Sequence, residues 1–450
     1  MSMPTYVQGL ARVAAGMKAA DLPASVVTRL QSCLLYNLGM AMAGYRKDDL
    51  SWNAIRNVYT GGGEARMWIT GESRSPQEAA FTNAALVAAR GQNDTLQAAH
   101  GHIGCHVVPA VLALAEQRRV PATDVLAALA AGYETQAAVA QGAAGAAVSR
   151  GFRATSIFGV FGAAAGAARV LGLDAERTAH ALAIAASFAA GTMQTWADGS
   201  MEWRLQVGHA SHSGVVAALL AEGGLMGAAR ALEGAAGFYK AFTGDVPELP
   251  KAPAASGQWA IDRVMFKPYP GCAINQGPVH ALLTLLTARD IATAEVERID
   301  VWLSPTQWAY PGVALHGPFA TSAGAVMSTA FMLAAALRDR ALRQSHFALE
   351  YDDAGLLELA SRIEAHADAD MPDGSARVQV ELKSGERHEG RCKDEPGFVF
   401  DWTDTVALVR GLAPELELPE ADRRLSRLVE AVDRLGAAEN AGALIACLMA

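Results

Sequence analysis

Val26-Val27-Thr28-Arg29-Leu30-Gln31-Ser32-Cys33-Leu34-Leu35-Tyr36-Asn37-Leu38 is the stretch whose reading decides the fold. Its apolar residues Val26, Val27, Leu30, Cys33, Leu34 and Leu38 return with the 3.6-residue period of an amphipathic helix. The same period recurs in Pro109-Leu112-Leu114-Ala115, in Leu126-Leu129-Ala130-Tyr133 and in Val215-Val216-Leu219-Leu220. Leu171-Gly172-Leu173-Asp174 reads as a helix stop followed by the N-cap of the next helix. Abundant Ala and Gly let helix axes approach closely, because interaxial distance follows contact side-chain size. Residues 1–262 therefore read as a tight all-α body without a fixed-period repeat.

The pattern changes near residue 262. Val296, Ile299, Val301 and Leu303 alternate as in a strand, and Val378-Val380-Leu382 does so more clearly. Ser384-Gly385 followed by a run to Cys392 predicts a hairpin. Helical segments are expected between, over about 273–288 and 321–338. Residues 263–398 thus form a smaller α+β domain, and from Asp401 the chain returns to helix. The expected fold is mainly α: a large all-α helical domain, 1–262 together with 399–450, plus a smaller α+β lid domain over 263–398. Thr321–Leu337, the most apolar long stretch, falls short of the roughly 20 residues a membrane span needs and reads as one buried helix.

A chain of 450 residues exceeds what one core supports, which favours two domains. A net charge of -9 disfavours nucleic acid as a partner, since phosphate contacts need a basic face. Five scattered cysteines without a CxxC predict reduced thiols and a cytoplasmic setting. The opening MSMPTYVQGLARVAAG lacks the basic head and long apolar run of a signal peptide. Neither a membrane partner nor a nucleotide cofactor is expected, because no spanning segment, GxGxxG, GxxxxGK[ST] or GxSxG occurs in the required context.

Chemistry concentrates in two places. Asn93-Asp94-Thr95 and His100-Gly101-His102-Ile103-Gly104-Cys105-His106 gather a carboxylate, a hydroxyl, three imidazoles and a thiol. Lys267-Pro268-Tyr269-Pro270-Gly271-Cys272 sets a lone cation at the head of a stiff turn. Taken alone, Asp94 is more often a cap or turn carboxylate, and Lys267 a solvated lysine. His102 and His106 are spaced i,i+4, but Gly101 and Gly104 argue against one helix face and no HExxH or CxxC completes a ligand set. No metal is expected. Arg153 and Arg204 adjoin small or turn residues and offer guanidinium for a carboxylate. Tyr310, before Pro311-Gly312, is a candidate phenol acid; Cys272 reads mainly as a small core residue that also adjoins the lysine turn.

The ordered set of these motifs resembles the MmgE/PrpD family over essentially the whole chain. The resemblance runs from the Leu30–Gly44 helix through Asp94-Thr95, His102–Pro109, Gly132-Tyr133-Glu134 and Gly151-Phe152 with Thr155. It continues through Gly208-His209-Ala210, Glu233-Gly234 and the Lys267–Cys272 turn. It implies a helical domain with an α+β lid, commonly a homodimer, and cofactor-free chemistry of the 2-methylcitrate dehydratase, cis-aconitate decarboxylase or iminodisuccinate epimerase kind. It places Asp94, Thr95, His102 and Lys267 at active-site positions. Gly91, Trp203 and Arg153 depart from the Asp, Lys and His that members commonly carry, which points to a different substrate.

The first expectation is a lyase acting on a small di- or tricarboxylate by proton removal alpha to a carboxylate. His102 serves as base or acid, because imidazole titrates near neutrality. Asp94 orients His102, and Tyr310 is a second acid. Lys267, Arg204, Arg153, Thr95 and Cys272 surround the substrate. The alternatives are an epimerase of a small dicarboxylate and a non-catalytic binding protein on the same fold.

Overall fold

The computed structural model describes residues 4–249, 257–392 and 398–449. The first three residues of the N-terminal stretch, and 393–397 of the expected second domain, lie outside the described residues. Helices α1 (Tyr6–Gly16), α2 (Ala24–Gly44), α3 (Leu50–Arg56), α4 (Pro76–Ala88), α5 (Gly104–Arg118) and α6 (Ala122–Ala140) open the chain. A short ribbon of β1 (Ala65–Arg66) and β2 (Ser73–Arg74) interrupts them. Then follow α7 (Ala144–Ser149), α8 (Ala154–Val170), α9 (Ala175–Ala185), α10 (Gln194–Asp198), α11 (Trp203–Glu222) and α12 (Phe238–Thr243). Local chemistry sets their ends. Thr5 and Gln8 form a capping box on α1. Gly172, at φ +65°, stops α8, and the Asp174 carboxylate accepts from Arg177 N–H at 2.8 Å to start α9.

Small residues bring the helices of this body together. A Cβ at Gly132 of α6 would lie 2.4 Å from Val107 Cγ1, and one at Gly214 of α11 would lie 2.4 Å from Ala163 Cβ. The helices α5, α6, α8 and α11 thus pack with backbone close to backbone, as the Ala/Gly content predicts. Val107, Val111, Leu129, Phe158, Phe161 and Val215 fill the space between them.

A second core gathers around a four-stranded sheet. Helices α13 (Gln276–Arg289), α14 (Pro305–Trp308), α15 (Ser322–Met327), α16 (Thr329–Asp339), α17 (Gln344–Ala348) and α18 (Ala354–Ala360) accompany β3 (Val296–Leu303), β4 (Ile363–Ala367), β5 (Ala376–Leu382) and β6 (Arg387–Cys392). The order is β4-β3-β5-β6, with β3 and β4 parallel and the other pairs antiparallel. Ile299 faces both Ile363 and Val380, and Val301 faces Val378. The register shifts between Val296 and Arg298, which explains why the apolar residues step by three there and by two afterwards. The predicted hairpin is β5–β6. Helices α13 and α16 cover the apolar side of the sheet, and Trp302, Arg377, Asp300 and His366 occupy the polar side. Helices α19 (Trp402–Arg410) and α20 (Ala421–Asp433) return to α2, where Val409, Leu425 and Leu428 join the first core.

One expectation needs correction. Thr321–Leu337 is two helices, α15 and α16, rather than one. Ser328 takes an extended conformation (φ -66°, ψ 118°), its hydroxyl accepting from Phe331 N–H at 3.0 Å and donating to the Leu315 carbonyl. A serine that caps the next turn ends the first helix. No described helix is long and apolar enough to cross a membrane.

The glycine packing makes a paired prediction. Gly214→Ala should destabilise the protein by about 1–3 kcal/mol through overpacking. Gly9→Ala, in α1 with nothing within 4 Å of the added carbon, should stabilise it by about 0.5–1 kcal/mol. Thermal unfolding of the two variants beside the parent reads both; equal shifts would contradict the close helix contact.

Candidate active site

The site lies where the chain passes between its two cores. The crossing segment is fastened on all sides. Thr95 and Met265 exchange backbone hydrogen bonds of 2.8 and 2.9 Å. Tyr36 hydroxyl bridges both the N–H and the carbonyl of Lys267, each at 3.1 Å, while its ring stacks on Phe266 with centroids 4.6 Å apart. Gln92 Nε2 donates to the same carbonyl at 2.9 Å. Gly271 N–H bonds Arg90 carbonyl at 3.1 Å, and Cys272 N–H bonds Val326 carbonyl at 3.1 Å, which joins the turn to both cores. A cavity of about 380 Å³ opens beside this segment, a size suited to a small ligand.

His102 stands in the cavity wall just ahead of α5. Its Nδ1 is 3.0 Å from Asp94 carbonyl and 3.0 Å from Thr95 Oγ1. Thr95 hydroxyl donates to Asn93 carbonyl at 3.1 Å, so it meets the ring as an acceptor. Two acceptors on Nδ1 assign the proton to that nitrogen and leave Nε2 with a free lone pair. Burial, followed by the positive charges of Lys267 and Arg153, holds this imidazole far below its ordinary range. That direction runs against the expectation of an imidazole titrating near neutrality.

Asp94 plays a different part from the one expected. Its carboxylate is fully buried behind the wall, accepting from Gly104 N–H at 2.9 Å and from Tyr133 hydroxyl. It thus caps α5 from outside, and burial raises its pKa. It is the Asp94 backbone carbonyl, not the carboxylate, that orients His102. His106 lies one turn into α5, enclosed against Gly159, with its pKa lowered by burial to about 3.

Two cations line the cavity, and neither has an ion-pair partner among the described residues. Lys267 is 1% exposed, and its ammonium donates to Gly91 carbonyl at 2.6 Å and Gly271 carbonyl at 3.2 Å. An ammonium has three N–H donors, so one remains for the cavity. Burial lowers its pKa to about 8. Gly91 sits at φ +62°, and a Cβ there would lie 3.1 Å from Val326 Cγ1 and 3.4 Å from Gly271 Cα, so a side chain would be strained. Arg153 is 5% exposed, donates to Trp203 carbonyl at 2.6 Å, and lies 5.0 Å from the Trp196 ring centroid. Burial brings its pKa down to about 10.

The cavity also collects Thr95, Cys272 and Tyr310. Tyr310 hydroxyl donates to the Met193 thioether at 3.6 Å, and burial raises its pKa. Trp308 instead points outward, 40% exposed, with its indole N–H on Ala365 carbonyl. Cys272 has its thiol pKa raised by burial. Arg204 does not reach the cavity: it pairs with Asp49, donates to Ala89 carbonyl at 3.2 Å and covers the Trp203 ring. Its charge is already neutralised, so the expectation that it holds substrate is not met. Trp196, Thr155, Gln307 and Asp373 line the cavity without having been singled out in the sequence. Thr155 stood in the quoted family pattern. The other three carry no motif, because the chain's tertiary course alone brings them in.

The buried ammonium sets a pH dependence. The folded-state value of about 8 lies below the ordinary 10.5, so between them the unfolded chain holds a proton that the folded chain has released. Stability contributed by Lys267 therefore rises with pH across that window. Affinity for a carboxylate does the reverse and falls as pH passes about 8, because only the ammonium attracts the anion. Thermal unfolding and calorimetric titration with succinate, each against pH, check both slopes. Lys267→Met should flatten them, and unchanged slopes would exclude Lys267 as their source.

Comparison with known proteins agrees with this architecture. The MmgE/PrpD N-terminal domain model matches residues 8–249, and the MmgE/PrpD C-terminal domain model matches residues 269–410. The cis-aconitate decarboxylase-like protein oryM of Aspergillus oryzae is 28% identical, over 94% of this chain and 91% of that protein. Cis-aconitate decarboxylase of Aspergillus terreus is 27% identical, over 83% and 81% of the two chains. Human cis-aconitate decarboxylase is 29% identical, over 60% of this chain and 57% of its own length. With both domain models matched in order across most of its length, the chain belongs to the MmgE/PrpD family.

Proposed function

We propose that this protein is a cofactor-independent lyase, a dehydratase or decarboxylase, acting on a small di- or tricarboxylate. The observation that supports the reading is the pair of buried cations, Lys267 and Arg153, without an ion-pair partner among the described residues, in one cavity with the His102 imidazole. A buried charge without a partner is costly, and an anionic ligand relieves that cost. The curated relatives named as cis-aconitate decarboxylases support the same class.

Lys267 and Arg153 hold substrate carboxylates on either side of the reacting carbon. His102 Nε2 removes the proton alpha to one of them, and the adjacent cation stabilises the enolate-like charge. For dehydration, the C–H electron pair forms the double bond, the neighbouring C–O bond breaks, and Tyr310 supplies the proton that carries hydroxide away as water. For decarboxylation no proton is removed first: the C–C bond breaks, its electron pair stays on the carbon beside the remaining carboxylate, carbon dioxide leaves, and Tyr310 gives that carbon its proton. Thr95 and the Asp94 carbonyl keep Nε2 as the basic nitrogen.

Proton NMR in D2O tests this with cis-aconitate, 2-methylcitrate, citrate and iminodisuccinate. Deuterium should enter alpha to a carboxylate, with a new vinyl signal or loss of a carbon. Exchange and inversion without either would make the enzyme an epimerase instead. His102→Ala should lower turnover by about 10²–10⁴-fold with the fold intact; activity equal to the parent's would remove His102 from the mechanism. The rate should show no fall at the 6.5 of an unperturbed imidazole, because burial holds His102 below it.

A further inference from the structure

Charge and aromatic surface are unevenly distributed in the cavity. Its described lining carries two cations without an ion-pair partner, Lys267 and Arg153, two histidines, His100 and His102, and one carboxylate, Asp373, which is exposed. Burial and the two cations lower the His102 pKa. The wall beside Arg153 is apolar: Trp196 and Trp203, 6% and 2% exposed, lie 5.4 Å apart at 37° and continue into Met327. The Arg153 guanidinium rests on one of these indoles and is held by the backbone carbonyl of the other.

We propose that the site is built for a dicarboxylate bearing an apolar side arm, and that Trp203 with Trp196 makes this choice. The proposal rests on the carboxylate-binding reading above and narrows it. Two carboxylates satisfy Lys267 and Arg153. A third, set against this apolar wall, would lose its water. The guanidiniums on these rings are already engaged, Arg204 by Asp49 and Arg153 by one of the first two carboxylates, so among the described residues no further cation offsets that loss. An alkyl or aryl arm in the same place gains by leaving water and packing on the rings.

Calorimetric titration of the full chain tests the choice without requiring turnover. The probes are succinate, 2-butylsuccinate and tricarballylate. 2-Butylsuccinate should bind at least about tenfold more tightly than succinate, since four buried carbons contribute well beyond that factor in full transfer. Tricarballylate should bind more weakly than succinate. Trp203→Lys should reverse the order of 2-butylsuccinate and tricarballylate. Because a lysine there has to be buried, Trp203→Leu is the companion: it should weaken 2-butylsuccinate while leaving tricarballylate the poorest ligand. Tightest binding of tricarballylate by the parent protein, or no gain from the butyl arm, would overturn the proposal and leave the carboxylate-binding reading standing. Failure of all three probes to bind would overturn both.

Discussion

The burial of one ammonium group organises this structure. Lys267 cannot be taken out of water without acceptors for its protons, and among the described residues no carboxylate pairs with it. The acceptors are the carbonyls of Gly91, from the helical body, and Gly271, from its own turn. Gly91 must therefore turn its carbonyl inward, which its positive φ permits. Pro268 and Pro270 stiffen the intervening turn. Tyr36 and Gln92 fix the Lys267 backbone from below, and Arg90 and Val326 fix Gly271 and Cys272 from either side. The two cores are joined through the same residues that present the charge.

That charge in turn defines the chemistry of its neighbours. Burial is the leading cause for each group, lowering His102, Lys267 and Arg153 and raising Tyr310. The cations lower the His102 pKa further. On the proposed function, a carboxylate held by Lys267 would draw that ammonium back toward its ordinary range and offset the field at His102. Asp94 contributes from behind, holding the start of α5 through Gly104 so that the loop before it presents His102 at a fixed angle.

Much of this was legible in the chain. Helical periodicity in α2, α5, α6 and α11 and alternation in β3 and β5 are properties of burial on one face, so they appear in sequence directly. The Gly172 stop, the Asp174 cap and the Ser384-Gly385 hairpin are local, and each formed as read. The division of 321–337 was missed because Ser328 caps as readily as it continues a helix. Thr95, His102, Lys267, Arg153, Tyr310 and Cys272 do meet in one cavity. Arg204 does not, because Asp49 is distant in sequence and nothing local announces the pair.

By itself, the sequence determined which residues offer a carboxylate, an imidazole or a cation, where most of the helices and the β3, β5 and β6 strands lie, and that a Pro/Gly turn presents a lysine. These depend on side-chain chemistry and on contacts a few residues apart. Tertiary structure alone decided which atom does what. It assigned the orienting role to the Asp94 carbonyl rather than its carboxylate, neutralised Arg204, brought Trp196 beside Arg153 and Asp373 into the same cavity, and drove His102 far below its ordinary pKa. Desolvation and charge proximity depend on what lies within a few ångströms in space, and pattern along the chain does not record that.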